Sequence, residues 1–244
     1  MPEQTLDFIK PFTENFTDIK EISLNSGLYL VATPIGNMRD ITLRALDVLK
    51  AVDVVACEDT RVSGQLFMAY GMKKKLMPYH DHNADQQRPY ILQLIAEGKS
   101  VALISDAGMP LISDPGYKLV RDCMAACVYV TSMPGANAPL MALQLSGLPS
   151  DCFSFLGFVS QKTKARRDML ESWKNVATTL VIFESASRLE SCITDIRAVL
   201  GNRPMALTRE LTKKFEDVWS GTVDTVLERL KKEGPPKGEI VLVV

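Results

Sequence analysis

Residues 28–37 read Leu28-Tyr29-Leu30-Val31-Ala32-Thr33-Pro34-Ile35-Gly36-Asn37. A short apolar run that stops at a Pro-Ile-Gly-Asn turn describes a buried strand with a sharp end. Helical spacing follows. Asp40 is placed to cap a helix whose buried face is Ile41, Ala45, Val48 and Leu49. Strand, glycine turn and amphipathic helix in that order indicate α/β layers.

Upstream, residues 1–26 have no clear period and end in the break Asn25-Ser26-Gly27; a loose leader or a short surface helix is expected there. Downstream the alternation continues. Strands are expected at Val52–Cys57, Lys75–His80, Val101–Ser105 and Val128–Met133. Helices are expected from Glu58 to Tyr70, over Gln86–Glu97, from an Asp114-Pro115 cap to Ala126, and up to Ser146. Residues 147–151, Gly-Leu-Pro-Ser-Asp, form a linker. Beyond it, strands are expected at Phe153–Phe158, Thr179–Glu184, Pro204–Glu210, Phe215–Ser220 and Glu239–Val244, with helices near Ala165–Lys174, Arg188–Leu200 and Val223–Lys232. The expected fold is therefore α/β in two domains, 27–146 and 152–244. The first sheet should be mostly parallel and the second mixed.

The bulk numbers limit the partners. A chain of 244 residues with 46% hydrophobic and 23% charged residues is globular, and a formal charge of −1 weakly disfavours holding nucleic acid through bulk positive potential. Local basic faces remain open. The acidic N-terminus is no secretory signal and no run approaches the ~20 apolar residues of a membrane span, so a cytoplasmic protein is expected. Five scattered cysteines and only two histidines indicate reduced core cysteines rather than a zinc site, and no metal is expected.

Three glycine-containing loops each follow a strand of the first block: Thr33–Asn37, Ser105–Pro110 and Met133–Ala138. In open α/β sheets ligands bind beyond the carboxyl ends of the strands, and glycine there lets backbone approach a ligand. None of the three is a dinucleotide or P-loop fingerprint, which counts against nicotinamide and ATP. Two further strand ends are polar, Glu58-Asp59-Thr60-Arg61 and Tyr79-His80-Asp81-His82-Asn83. In an extended strand His80 and His82 would share one side. Substrate contact, a metal and ordinary surface turn chemistry are all open readings of this cluster. Finally, Lys162, Lys164, Arg166 and Arg167 place four cations at a helix entrance, where the helix dipole disfavours them; a solvated helix start and a phosphate-bearing anionic partner are both open readings.

Taken in order, these motifs resemble one family. They are Leu28–Asn37, Glu58–Arg61, His80–Asn83, Ser105–Gly108, Asp114–Gly116, Gly147–Pro149, Glu184-Ser185, Arg209–Lys213 and Lys237–Glu239. The chain is similar to the small-subunit ribosomal RNA methyltransferase I family of the tetrapyrrole methylase superfamily, over residues 28–244. The resemblance implies a tetrapyrrole methylase-like fold with a cofactor cleft between two domains, and a homodimer. It implies S-adenosylmethionine-dependent 2′-O-methylation of a cytidine in the decoding region of 16S rRNA, with naked RNA or the assembled small subunit as substrate. It places the cofactor against Ile35, Asp106, Ala107, Gly108, Met109, Asn137 and Ala138, and against Phe183, Ala206 and Leu207 of the second domain. Met109 stands where Thr is usual, and Ala136-Asn137-Ala138 replaces a Pro/Ser-rich loop. Family members generally continue past the last strand, and residues 1–26 precede the matched part.

A ribose 2′-hydroxyl is almost fully protonated near neutral pH, so a general base is expected. Candidates are His80, Asp59 and Lys213, with Arg61, Lys162, Lys164, Arg166 and Arg167 as substrate contacts; Asp106 fits the cofactor better than the proton. Two competing readings are a methyltransferase of the same fold acting on a small substrate such as a tetrapyrrole, and a non-enzymatic RNA-binding factor.

Overall fold

The computed structural model describes residues 21–244, so most of the expected leader lies outside the described residues. The first unit runs to Ala136 and the second from Asn137 to Val244.

In the first unit, β1 (Gly27–Val31), β2 (Val54–Cys57), β3 (Leu76–Pro78), β4 (Ser100–Ile104) and β5 (Val130–Met133) make one sheet in the order β3-β2-β4-β1-β5. Every pairing is parallel. Helices α1 (Leu43–Ala51) and α2 (Thr60–Ala69) cover one face through a core that includes Val31, Leu46, Leu49, Val55, Phe67 and Ile104. Helices α3 (Ala84–Ala96) and α4 (Tyr117–Ala125) cover the other through Leu28, Val54, Ile91, Leu103 and Leu119. Burial on both faces is why these strands read as continuous apolar runs.

Two helix starts differ from expectation. Asp40 does not cap α1. Residues Met38–Asp40 form a single 3-10 turn, Ile41 is extended, and Thr42 is the cap, its hydroxyl accepting from the Ala45 N–H at 3.1 Å. The Tyr70 hydroxyl donates to the Met38 carbonyl and pins that turn. Likewise Asp114-Pro115 does not open α4; Gly116, at φ +136°, precedes its first residue, Tyr117. A Cβ at Gly116 would lie 2.6 Å from Leu103 Cδ2. The tertiary fit therefore overrides the Asp-Pro start.

The second unit opens with α5 (Ala138–Ser146) and continues through β6 (Phe153–Phe158), α6 (Thr163–Trp173), β7 (Thr179–Ser185), α7 (Leu189–Leu200), β8 (Pro204–Arg209), β9 (Asp217–Thr222), α8 (Val223–Glu233) and β10 (Glu239–Val243). The sheet order is β6-β7-β10-β8-β9. Only β6–β7 is parallel; the other three pairings are antiparallel, which gives the mixed sheet. Helices α6, α7 and α8 share one core with Leu180, Ile182, Leu207, Trp219, Ile240 and Leu242. The alternate residues Val181, Ala206, Val241 and Val243 are buried as well, and α5 packs on β7, β8 and β10. That packing sets the division between the units at Ala136/Asn137 rather than at 147–151.

Of the cysteines, Cys57, Cys123 and Cys192 are buried core residues, whereas Cys127 and Cys152 are exposed thiols. Among the described residues no helix is long and apolar enough to cross a membrane.

Candidate functional site

Strands β4, β1 and β5 are adjacent and parallel, so the three glycine loops leave the sheet at one edge. The first two are stitched together. Thr33 N–H donates to the Gly108 carbonyl at 2.9 Å and Gly108 N–H returns to the Thr33 carbonyl at 3.1 Å. The Ser105 hydroxyl also donates to the Gly108 carbonyl, at 2.9 Å. Gly108 sits at φ +89°, and a Cβ there would lie 3.2 Å from Ile35 Cγ2. A Cβ on Gly135 would lie only 2.6 Å from Ala32 Cβ. Close approach of the loops thus requires glycine at both positions. Ile35 is buried, Asp106 and Met109 are half-buried and Ala107 is exposed. Asn137 has a structural task too, since its Oδ1 accepts from the Leu140 N–H at 2.9 Å and caps α5 directly before Ala138.

Next to these loops lies a polar recess of about 410 Å³ lined by Glu58, Asp59, Arg61, His80, His82 and Asp106. Asp106 Oδ1 accepts from the Asp59 N–H at 3.1 Å, joining the ends of β4 and β2. Asp59 caps α2 by accepting from the Arg61 N–H at 2.8 Å, and its carboxylate grips the Arg61 guanidinium at 2.6 Å. The Arg61 side chain, and then its N–H, hold the Asp59 carboxyl down at about 2. Arg61 itself is 87% exposed and can meet an anion without desolvation.

Residues 80–83 are not extended, so His80 and His82 are not paired by strand alternation. They form a turn in which Asn83 Oδ1 accepts from the His80 N–H at 2.9 Å and Asn83 Nδ2 donates to the Pro78 carbonyl at 3.0 Å. The imidazoles meet edge to face at 5.9 Å. His80 Nδ1 is buried with no hydrogen-bond partner. Glu58 nearby is pushed up by burial and then by the Asp106 and Asp81 carboxylates. Among the described residues no group of three or more His, Cys, Asp and Glu side chains could hold a metal ion.

The second-unit candidates divide by burial. Phe183 is half-buried and stacks edge-on against Phe155 at 4.9 Å, with Phe158 at 5.3 Å. Ala206 and Leu207 are fully buried in β8, laddered on both sides by β10 and β9. Lys213 is clamped between Glu210 at 2.9 Å and Glu239 at 3.1 Å. Burial opposes its charge, but the two carboxylates outweigh that and raise it, so Lys213 holds its proton. A Cβ on Gly238 would lie 2.5 Å from Glu210 Oε1, which explains the glycine of the Lys237-Gly238-Glu239 motif.

The basic run is corrected in one member. Arg166 is 2% exposed, with Nε 2.7 Å from Asp195 Oδ2 and Nη1 donating to the Ser160 carbonyl at 3.2 Å. It is a core residue, not a phosphate ligand. Arg167 also holds Asp195, at 2.6 Å, from a half-exposed position. Lys162 and Lys164 are exposed, and among the described residues neither makes an ion pair.

Two groups were not visible as site residues in the sequence, Ser63 and Asp114. The Asp114–Gly116 motif marks a loop but not a titrating group, because the partial burial of Asp114 follows from the loop Leu111–Gly116, in which Leu111 and Ser113 take φ of +73° and +67°. Burial, and then the Glu58 carboxylate, push Asp114 up to about 6, against a Ser105 hydrogen bond. Between pH ~4, the unfolded value, and pH 6 the folded protein holds a proton the unfolded chain has lost. This group therefore adds stability as pH falls from about 7 toward about 4. Thermal melts should show a flatter Tm–pH profile over that window for Asp114→Asn than for the wild type; identical slopes would refute the assignment.

Comparison with known proteins agrees with this architecture. The sequence model of the Tetrapyrrole (Corrin/Porphyrin) Methylases matches residues 27–227. Ribosomal RNA small subunit methyltransferase I of Mesorhizobium japonicum is 49% identical over 229 residues, covering 93% of this chain and 78% of the relative. The protein of that name from Escherichia coli O157:H7 is 48% identical, covering 89% and 77%. Among solved structures, uroporphyrin-III-C-methyltransferase from Thermus thermophilus superposes with a TM-score of 0.61 at 23% identity, covering 89% of this chain and 94% of that one. The methyltransferase CobJ gives 0.66 at 15% identity, covering 89% and 93%, and both are likenesses of fold. A family match across most of the chain, together with relatives near half identity, places this chain in the tetrapyrrole methylases and, within them, in the ribosomal RNA small subunit methyltransferase I family.

Proposed function

We propose that the protein methylates the 2′-hydroxyl of a cytidine in the decoding region of 16S rRNA, using S-adenosylmethionine and acting on RNA or on the small ribosomal subunit. The observation that carries this reading is the shared position of Asp106, in a glycine-built loop cradle on one side and in a recess holding an unpartnered imidazole on the other. The names of the relatives support rRNA as the substrate. A cytoplasmic homodimer belongs to the same reading.

The cradle fits the cofactor. Gly108 and Gly135 leave backbone within reach, Ile35 offers an apolar wall and Asp106 a carboxylate. Asp106 to Met109, Asn137 and Ala138 would hold it, with Phe183, Ala206 and Leu207 as the second unit's candidates. When bound, S-adenosylmethionine supplies a methyl carbon already activated by its sulfonium. The protein's own task is then alignment, exclusion of water and removal of one proton. Asp59 at about 2 is too weak a base near neutral pH, and Lys213 keeps its proton. His80 remains, and its imidazole, in the wall of the recess, takes the hydroxyl proton as the oxygen–methyl bond forms. Arg61 holds a flanking phosphate, and Lys162, Lys164 and Arg167 extend the contact to the RNA backbone.

The test pairs calorimetric titration of S-adenosylmethionine with transfer of labelled methyl to small subunits lacking the modification. Micromolar binding and a methyl mapped to a ribose, by resistance of the adjacent linkage to alkali, are expected. Label on a base, or on no RNA at all, would overturn the proposal.

A further inference from the structure

A second cavity opens on the other side of Asp106. It holds about 370 Å³ and is lined by Pro34, Met38, Val62, Leu66, Met68 and Asp106, with Ser63 at its wall. Its walls come from the first two glycine loops, through Thr33, Pro34, Gly36, Ser105 and Asp106, from the pinned 3-10 turn and from α2, and not from the loop Met133–Ala138. Its size is that of a small-ligand site, roughly 300–1,000 Å³, and its make-up is typical of one, apolar walls with few convergent polar groups. Two features set it apart from a packing defect. Val62 and Met68 are 40% and 68% exposed, so large apolar side chains stand at its mouth. Ser63 is 2% exposed, yet its hydroxyl has no partner other than the weak Cys57 thiol. The Cys57 thiol beside it is directed to the Met77 carbonyl.

We propose that this cavity, formed by Met38, Val62, Ser63, Leu66 and Met68 next to Asp106, receives the base of the target nucleotide once it has left the RNA stack. The inference rests on the function proposed above. An enzyme acting on one nucleotide must bring it out of its neighbours' stacking, and an extruded base needs apolar faces and a hydrogen-bonded edge. Methionine supplies adaptable walls for an aromatic ring. A carboxylate that accepts, set near a hydroxyl that can donate, matches an amino group beside a ring nitrogen, as on cytosine, and mismatches the carbonyl and N–H of uracil. The recess with Arg61 and His80 shares Asp106 with this cavity, so sugar and phosphate find their partners directly alongside. Adenine carries the same amino edge, and the cofactor's own adenine is the other source of that chemistry. Two of the loops assigned to the cofactor also line this cavity, but the third, Met133–Ala138, does not, and α2 supplies the remaining wall, which favours the target base.

Met68→Glu tests this at an exposed position that folding tolerates, and Ser63→Ala, on a helix, tests the polar edge. Affinity for S-adenosylmethionine is measured by calorimetry, and KM and kcat are measured with unmethylated small subunits. For Met68→Glu we expect kcat/KM to fall at least tenfold with cofactor Kd within twofold of wild type. For Ser63→Ala we expect a threefold to tenfold fall and a smaller preference for cytidine over uridine at the target. A parallel rise in cofactor Kd would assign the cavity to the adenine and overturn the proposal, as would unchanged kinetics in both variants. Wild-type protein that methylates no rRNA would instead bring down the functional reading and this inference together.

Discussion

Replacing His80 by alanine is expected to lower the methyl-transfer rate by about 10²–10⁴-fold while leaving S-adenosylmethionine affinity unchanged. The magnitude follows from the role. A positioned base contributes a few orders of magnitude because the hydroxyl must lose its proton as the new bond forms. The choice of residue follows from what each candidate already does. Asp59 is committed to the α2 cap and to Arg61, and Lys213 to two carboxylates. His80 Nδ1 alone of the three is buried without a partner. Its backbone is fixed through Asn83, so the ring is presented by a braced turn rather than by a free loop. Single-turnover rates isolate the step from product release, and added imidazole should restore part of the rate to the alanine variant. Asp59→Asn provides the contrast: it loosens Arg61 and should raise KM for RNA more than it lowers kcat. A His80→Ala protein with wild-type single-turnover rates would remove this residue from the chemistry.

Much of this site was legible because it depends on short-range signals. The run Leu28–Thr33 followed by Pro34-Ile35-Gly36 announces a strand and its loop wherever the chain goes next. Strand β1 then lies beside both β4 and β5, as three glycine loops on one edge require. What the sequence hides is contact between distant residues. Thr33 and Gly108 are joined by a two-way backbone pairing, and nothing local to either residue reports it. The same holds for Asp114, half-buried by a loop whose left-handed residues are Leu and Ser rather than glycine. The start of α1 failed for a different reason. Asp40 and Thr42 are both capable caps, and the Tyr70 hydroxyl on the Met38 carbonyl settles the competition from outside the segment. Arg166 is a third case, in which two local signals compete. Arg166, Met169, Leu170 and Trp173 follow the spacing of an apolar helix face, while the charge of the run points to solvent. The apolar spacing wins because Asp195 supplies the guanidinium with a buried partner.

Burial of that pair sets the largest expected effect on stability. Arg166→Ala should destabilise the protein by about 3 kcal/mol or more, since breaking a buried ion pair from one side typically costs about 3–5 kcal/mol. Asp195, 3% exposed, would keep only Arg167, and the Ser160 and Gln161 carbonyls would lose the guanidinium that ties the end of β6 to α7. At about 2–4 °C per kcal/mol for a chain of this size, Tm should fall by at least ~6 °C. Asp195→Ala should cost as much or more, because it strands a guanidinium that has almost no access to water. Replacing both residues by leucine should recover most of the loss, as apolar packing commonly matches a buried pair. Lys162→Ala with Lys164→Ala should behave oppositely, leaving Tm within about 1 °C and reducing the salt dependence of RNA binding, by up to ~0.7 in the log–log slope for each phosphate that is no longer neutralised. The two sets of variants separate architecture from recognition within a single helix entrance. If Arg166→Ala melted like the wild type and the lysine pair melted early, the assignment of roles along this helix would be reversed.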